Sequence, residues 1–144
     1  MATKIINIKN AIKTKLDGVS HLKYVYTYAN GSPDGFPCAT ITNSQMQGEF
    51  GDFSATSKRN KRTYAFNVSI YVERNEASFG AEKAERVTDE ALDEILTAFD
   101  MDTTLSGVVK WVQVVEGDLS YEDMGNIVRT ANLTISCIDM VDSL

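Results

Sequence analysis

The sequence predicts an α+β domain: a mostly antiparallel sheet with two helices packed on one face and a long β-hairpin loop. Apolar residues recur at helical spacing in two separate segments, near 3–16 and 80–99. Strict alternation of period two marks residues 63–72. The overall order is helix, strands, helix, strands, which suits helices segregated to one side of an antiparallel sheet.

The first helix places Ile5, Ile8, Ile12 and Leu16 on one face and Lys4, Lys9, Lys13 and Lys15 on the others. Thr3 suits its N-cap, and Asp17-Gly18 supplies its stop. Residues 21–28 then alternate as a strand, with Leu22, Tyr24, Tyr26 and Tyr28 on one side. Turn-forming residues fill 30–35, and a second strand covers 36–42. Between 43 and 62 the alternation breaks. Gly48, Gly51 and hydroxyl residues surround Met46, Phe50 and Phe53, and the run Lys58-Arg59-Asn60-Lys61-Arg62 closes the segment. Pairing of 36–42 with 63–72 makes these twenty residues an oversized hairpin loop. Loops beyond roughly 12–15 residues are uncommon in compact domains and are usually functional or disordered.

The strand at 63–72 carries Tyr64, Phe66, Val68, Ile70 and Val72 on one face. The second helix, 80–99, has an apolar stripe of Ala84, Val87, Ala91, Leu92, Ile95 and Phe99. Glu82, Glu85, Asp89, Glu90, Asp93 and Glu94 line the rest of that helix. A connector over 100–107 leads to two strands, 108–116 and 126–138, joined by residues 117–125.

The 144 residues are 43% hydrophobic and 24% charged, the composition of one globular domain spanning 1–144. No apolar run reaches the roughly 18–20 residues of a membrane span, and no secretory leader pattern opens the chain, so cytosolic synthesis without membrane contact is expected. The net charge of −6 argues against a nucleic-acid-binding surface, which normally carries a basic surplus. Residues 1–62 hold nine basic and four acidic side chains, whereas 63–144 hold five and sixteen. A domain polarised in this way can attract further copies head to tail.

No catalytic or cofactor motif is present. His21, the only histidine, sits at a helix–strand junction, where a capping or surface role is expected rather than catalysis. Asp100-Met101-Asp102 begins like a calcium loop, but Leu105 and Trp111 stand where glycine and glutamate are needed. Cys38 and Cys137 lack metal-ligand spacing and read as small buried hydrophobes; a disulfide requires that their strands be neighbours. No catalytic residue, cofactor or metal site is therefore assigned.

What remains is an interaction surface. Met46, Phe50 and Phe53 on a long loop form an apolar patch of the kind that marks contacts. Lys58, Arg59, Lys61 and Arg62 at its base complement Glu82, Glu85, Asp89, Glu90 and Asp93 on the second helix of a neighbouring copy. A hairpin reaching a different surface of the next subunit is a heterologous contact, which closes into a ring where the rotation permits.

A family resemblance rests on the order and spacing of these parts. They are the first helix ending at Leu16, the strand Leu22–Tyr28, the segment Gly35-Phe36-Pro37-Cys38-Ala39, and a long hairpin before Arg62-Thr63-Tyr64-Ala65-Phe66. The acidic helix, the link Thr104-Leu105-Ser106-Gly107 and two final strands complete them. This layout resembles tail terminator proteins of long-tailed bacteriophages and their tail-completion, minor-tail and neck relatives. The resemblance implies a homohexameric ring in the virion's tail or neck, assembled in the host cytoplasm. Such a ring caps the tail tube, stops tube polymerisation, and meets the tail-tube protein on one face and the head–tail connector protein on the other. DNA passes through its lumen without sequence-specific binding. Two alternatives stand beside it: another neck or head-closure component, or a small ligand-binding or regulatory domain with a pocket near Tyr24, Tyr26 and Trp111.

Overall fold

The structure, a computed structural model, describes residues 4–29, 34–53, 58–73, 81–123 and 127–142. Side chains are described at these positions except 47–53, 58–61, 73, 81–82, 115–116, 120–123, 127–128 and 140–142. The elements in chain order are α1 (Lys4–Asp17), β1 (Tyr24–Tyr26), β2 (Cys38–Phe53), β3 (Lys58–Glu73), α2 (Ala81–Asp100), β4 (Trp111–Asp123) and β5 (Ile127–Asp142). The strands form one sheet in the order β1-β2-β3-β5-β4. Only β1 and β2 are parallel; the other three pairings are antiparallel.

Both helices pack on one face. Ile8, Ile12 and Leu16 recur every four residues along α1 and are fully buried. From α2 come Ala84, Ile95 and Phe99, and they meet Phe66, Val68, Ile70 and Val72 of β3 in a single core, with Ala91 also fully buried. Thr88 lies in the same buried stripe because its hydroxyl donates to the Ala84 carbonyl at 2.8 Å, which satisfies the one polar atom it brings. The C-terminus of α1 closes through the Gly18 and Val19 amides, which donate to the Lys15 and Leu16 carbonyls.

The opposite sheet face is polar and uncharged over its middle. Its rungs run Thr40↔Ser69↔Asn132 and Thr42↔Asn67↔Thr134, and Ser69 Oγ donates to Asn132 Oδ1 at 2.7 Å. Two lysines on α1 tie the layers at their rim. Lys4 Nζ donates to the Val108 carbonyl at 2.6 Å and lies 3.0 Å from Asp139, a carboxylate only 7% exposed. Lys15 Nζ reaches Asp102 at 2.7 Å.

Three sequence expectations need correction. Within the segment expected as a loop, 43–62, the described residues 43–53 and 58–62 are strand, and 54–57 lie outside the described residues. The β2–β3 ladder runs on through Gln47↔Thr63 and Phe50↔Asn60 to Phe53↔Lys58. Residues 117–123 likewise continue as strand, up to Asp123↔Ile127. Backbone hydrogen bonds hold both extensions, so neither needs the apolar alternation that marks a half-buried strand. The first strand shrinks from 21–28 to Tyr24–Tyr26, since only three residues find partners on β2. Cys38 and Cys137 lie on β2 and β5 with β3 between them, opposite Tyr71 and Tyr64 respectively, so they are buried free thiols. Burial raises their pKa values to about 11 and about 12.

Candidate interaction surface

The strands β2, β3 and β5 extend beyond the helix-covered sheet as an arm. On β3, Tyr64 is still buried, whereas Arg62 is exposed. Met46, opposite Tyr64, is 63% exposed. The arm is therefore three strands wide at its base and is not a free two-stranded finger, because β5 accompanies β3 as far as Arg59↔Asp142.

Register sorts the charges of this arm into two sets. One set of alternate rungs reads Glu49↔Lys61 and Asp52↔Arg59↔Asp142, with opposite signs directly across. Such pairs stabilise a ladder by roughly 0.2–1 kcal/mol each. The other set continues the core-facing rungs: Met46↔Tyr64, Gly48↔Arg62, Phe50↔Asn60 and Phe53↔Lys58. Here the sole acidic position is Asp139, opposite Arg62, and it is buried against Lys4. Thus Arg59 and Lys61 have acidic neighbours in their own sheet, which the linear sequence did not indicate. Lys58 and Arg62 belong to the same set of alternate rungs as Met46, Phe50 and Phe53, and Lys58 is directly opposite Phe53.

The acidic helix is also partly committed. Arg129 Nη2 donates to Glu85 Oε1 at 3.1 Å, and Nε lies 2.6 Å from Oε2 as an ion-pair contact without a hydrogen bond. Glu90 is held by His21. Asp89 and Asp93 are exposed and make no ion pair with another described side chain. The side chain of Glu82 lies outside the described residues, as do those of Phe50, Phe53, Lys58, Arg59 and Lys61.

His21 has a definite structural role. Its Nδ1 lies 2.6 Å from Glu94 Oε1 and its Nε2 lies 2.9 Å from Glu90 Oε2. A neutral imidazole donates from one nitrogen only, so both contacts are satisfied together by the imidazolium. The Glu94 hydrogen bond is the main cause that raises the His21 pKa, with Glu90 adding to it. Glu94 is lowered, first by the Ser20 amide that donates to Oε2 at 2.8 Å and then by His21. The α1–β1 connector is thereby pinned to α2. Asp102, expected to fail as a calcium ligand, accepts from Lys15 and from the Ser106 amide, and its pKa falls to about 2. Among the described residues no group of three or more His, Cys, Asp or Glu could hold a metal ion.

Tyr24 and Tyr26 stack with ring centroids 6.4 Å apart on β1, but Trp111 starts β4 at the opposite edge of the sheet. The expected joint pocket does not form. A cleft of about 350 Å³ lies instead between α2 and β4, lined by Leu92, Leu96, Val114, Gly117, Leu119 and Leu133 among others. Leu96 and Leu119 are 39% and 49% exposed at this cleft. The i,i+4 spacing of Leu92 and Leu96 was the available signal for it, but only the fold brings β4 alongside.

No family model and no curated protein matches this chain. Among solved structures, a chain described as "Virion of native gene transfer agent (GTA) particle" is similar, with a TM-score of 0.48 and 9% sequence identity. The match covers 91% of this chain and 93% of that one. No helix among the described residues is long and apolar enough to cross a membrane.

Proposed function

We propose that this chain is a structural virion protein of the tail-terminator type, whose copies join head to tail into a ring. The ring caps a tail tube, ends its polymerisation and offers the surface on which the head connector seats. Its partners are further copies of itself, the tail-tube protein and the head–tail connector protein. The observation that carries this reading is the pair of unlike surfaces on one small domain. An arm bears Met46 with Lys58 and Arg62 on its core-facing rungs, and elsewhere α2 exposes Asp89 and Asp93. Unlike surfaces that complement each other make a heterologous contact, the kind that builds rings.

A net charge of −6 suits a lumen that lets DNA slide, since like charge disfavours adhesion to phosphates. The role is non-enzymatic on this reading. Both ring nitrogens of the one histidine are engaged by carboxylates, which leaves neither for a substrate proton. Size-exclusion chromatography with light scattering, run on the purified chain with and without tail-tube subunits, tests the proposal. A ring-sized species and arrested tube growth are expected. A chain that stays single and leaves tube growth unchanged contradicts it.

A further inference from the structure

The sheet has two long edges that no described strand covers, one at each end of the strand order. Strand β1 pairs only with Cys38–Thr40, so the outer edge of β2 is open from Ile41 to Phe53. At the other end, β4 has β5 as its one strand partner. The Val112 amide donates to the Thr103 carbonyl at 2.8 Å, and beyond it, over 113–123, no described strand covers the outer edge. Open edges of this length are templates for strand addition, and native proteins keep them short, charged or covered. The α2–β4 cleft lies directly beside the second of them, with Leu96 and Leu119 exposed.

We propose that β2 of one copy adds to the free edge of β4 in the next, and that its core-facing rungs cover the α2–β4 cleft. This deepens the ring reading and rests on it. Strand addition carries the two faces of a sheet across the junction, so the helix-side rungs of one copy continue those of the other. On β2 those rungs are Met46, Gly48, Phe50 and Phe53. On β4 they are Val112, Val114 and Leu119, whose partners Cys137, Ile135 and Ala131 belong to the core. Apolar positions therefore meet an apolar cleft.

Charge selects the same occupant. The exposed carboxylates Asp89, Asp93 and Asp100 stand one helical turn from the cleft's leucines, Leu92 and Leu96. One strand behind the incoming β2 come Arg62 and Lys58, whose partners on β2 are Gly48 and Phe53 rather than acidic residues. The contact is heterologous and leaves the same two edges open at the ends of any chain of copies, so closure into a ring removes both.

Two measurements test this together: the assembly state of Leu96→Asp/Leu119→Asp, and cross-linking between copies with a short bismaleimide. Both leucines are partly exposed, so the double variant keeps the wild-type circular dichroism. Its half-assembly concentration is expected to rise about a hundredfold or more. A mixture of Met46→Cys and Leu119→Cys chains is expected to give a two-chain band on a denaturing gel. Thr134→Cys mixed with Leu119→Cys, with Thr134 on the opposite sheet face, is expected to give none. Wild-type assembly that survives the double variant, or that yields no Met46–Leu119 product, overturns this inference and leaves the ring reading intact. A wild-type chain that never exceeds single-chain mass overturns both.

Discussion

Within one continuous ladder, β3 crosses two environments. From Tyr64 to Val72 its alternate residues are at most 3% exposed under α1 and α2. From Arg59 to Arg62 the same strand pairs on both sides, yet Arg62 is exposed. The hydrogen-bonded frame is common to both halves; what differs is what the rungs carry. The body is held by burial, whereas the arm is held by backbone pairing, with opposite charges at directly facing register positions. The arm is therefore where apolar and basic residues can serve a neighbour without being needed for folding.

The sharpest way to break that contrast is to substitute the same strand in both halves. Phe66→Ala removes a fully buried ring and is expected to cost about 3–5 kcal/mol, seen as a large drop in denaturation midpoint. At the boundary between the halves, Lys4→Ala strands the buried carboxylate of Asp139 and is expected to cost about 1–3 kcal/mol in the same assay.

In the arm, Lys58→Ser/Arg62→Ser is expected to shift stability by no more than about 0.5 kcal/mol per site while weakening assembly. Arg59→Ser/Lys61→Ser removes the compensated cations and is expected to do the reverse. It loses up to about 1 kcal/mol per cross-strand pair and assembles normally. Equal behaviour of the two double variants in sedimentation would erase the distinction between the rung sets.

The smallest effects are electrostatic clamps on the body. The folded pKa of His21 is raised, so its contribution is complete below the unfolded value of 6.5 and is lost as pH rises through the folded value. The melting-temperature gap between wild type and His21→Gln should thus narrow on going alkaline. Asp102, with its folded pKa near 2, behaves oppositely: its contribution is present above 3.8 and is lost as pH falls through about 2. Asp102→Asn should cost no more than about 1 kcal/mol at neutral pH, with the difference vanishing in strong acid.

The sequence made the body readable and the arm misleading, for one physical reason. Burial writes a period into sequence: Ile8, Ile12 and Leu16 announce α1 to within a residue, and Phe66, Val68 and Ile70 announce the buried part of β3, though not its start at Lys58. Backbone pairing writes none. Residues 43–53 and 58–62, with Gly48, Gly51 and Asp52 breaking any alternation, therefore looked like loop although they belong to a ladder. The candidate surface was legible in part. Met46 is exposed as expected, and Asp89 and Asp93 face solvent. Glu85 and Glu90 are committed to Arg129 and His21, 44 and 69 residues away in the chain, which no local pattern encodes. The α2–β4 cleft was hidden in the same way, because Leu96 and Leu119 belong to different patterns until the sheet brings them together.

Native mass spectrometry of the purified chain over rising concentration, alone and with tail-tube subunits, bears most directly on whether one copy's arm holds the next copy. One discrete closed multimer, lost in Lys58→Ser/Arg62→Ser and retained in Arg59→Ser/Lys61→Ser, is the expected result. A single-chain mass at every concentration, both alone and with tail-tube subunits, would contradict it.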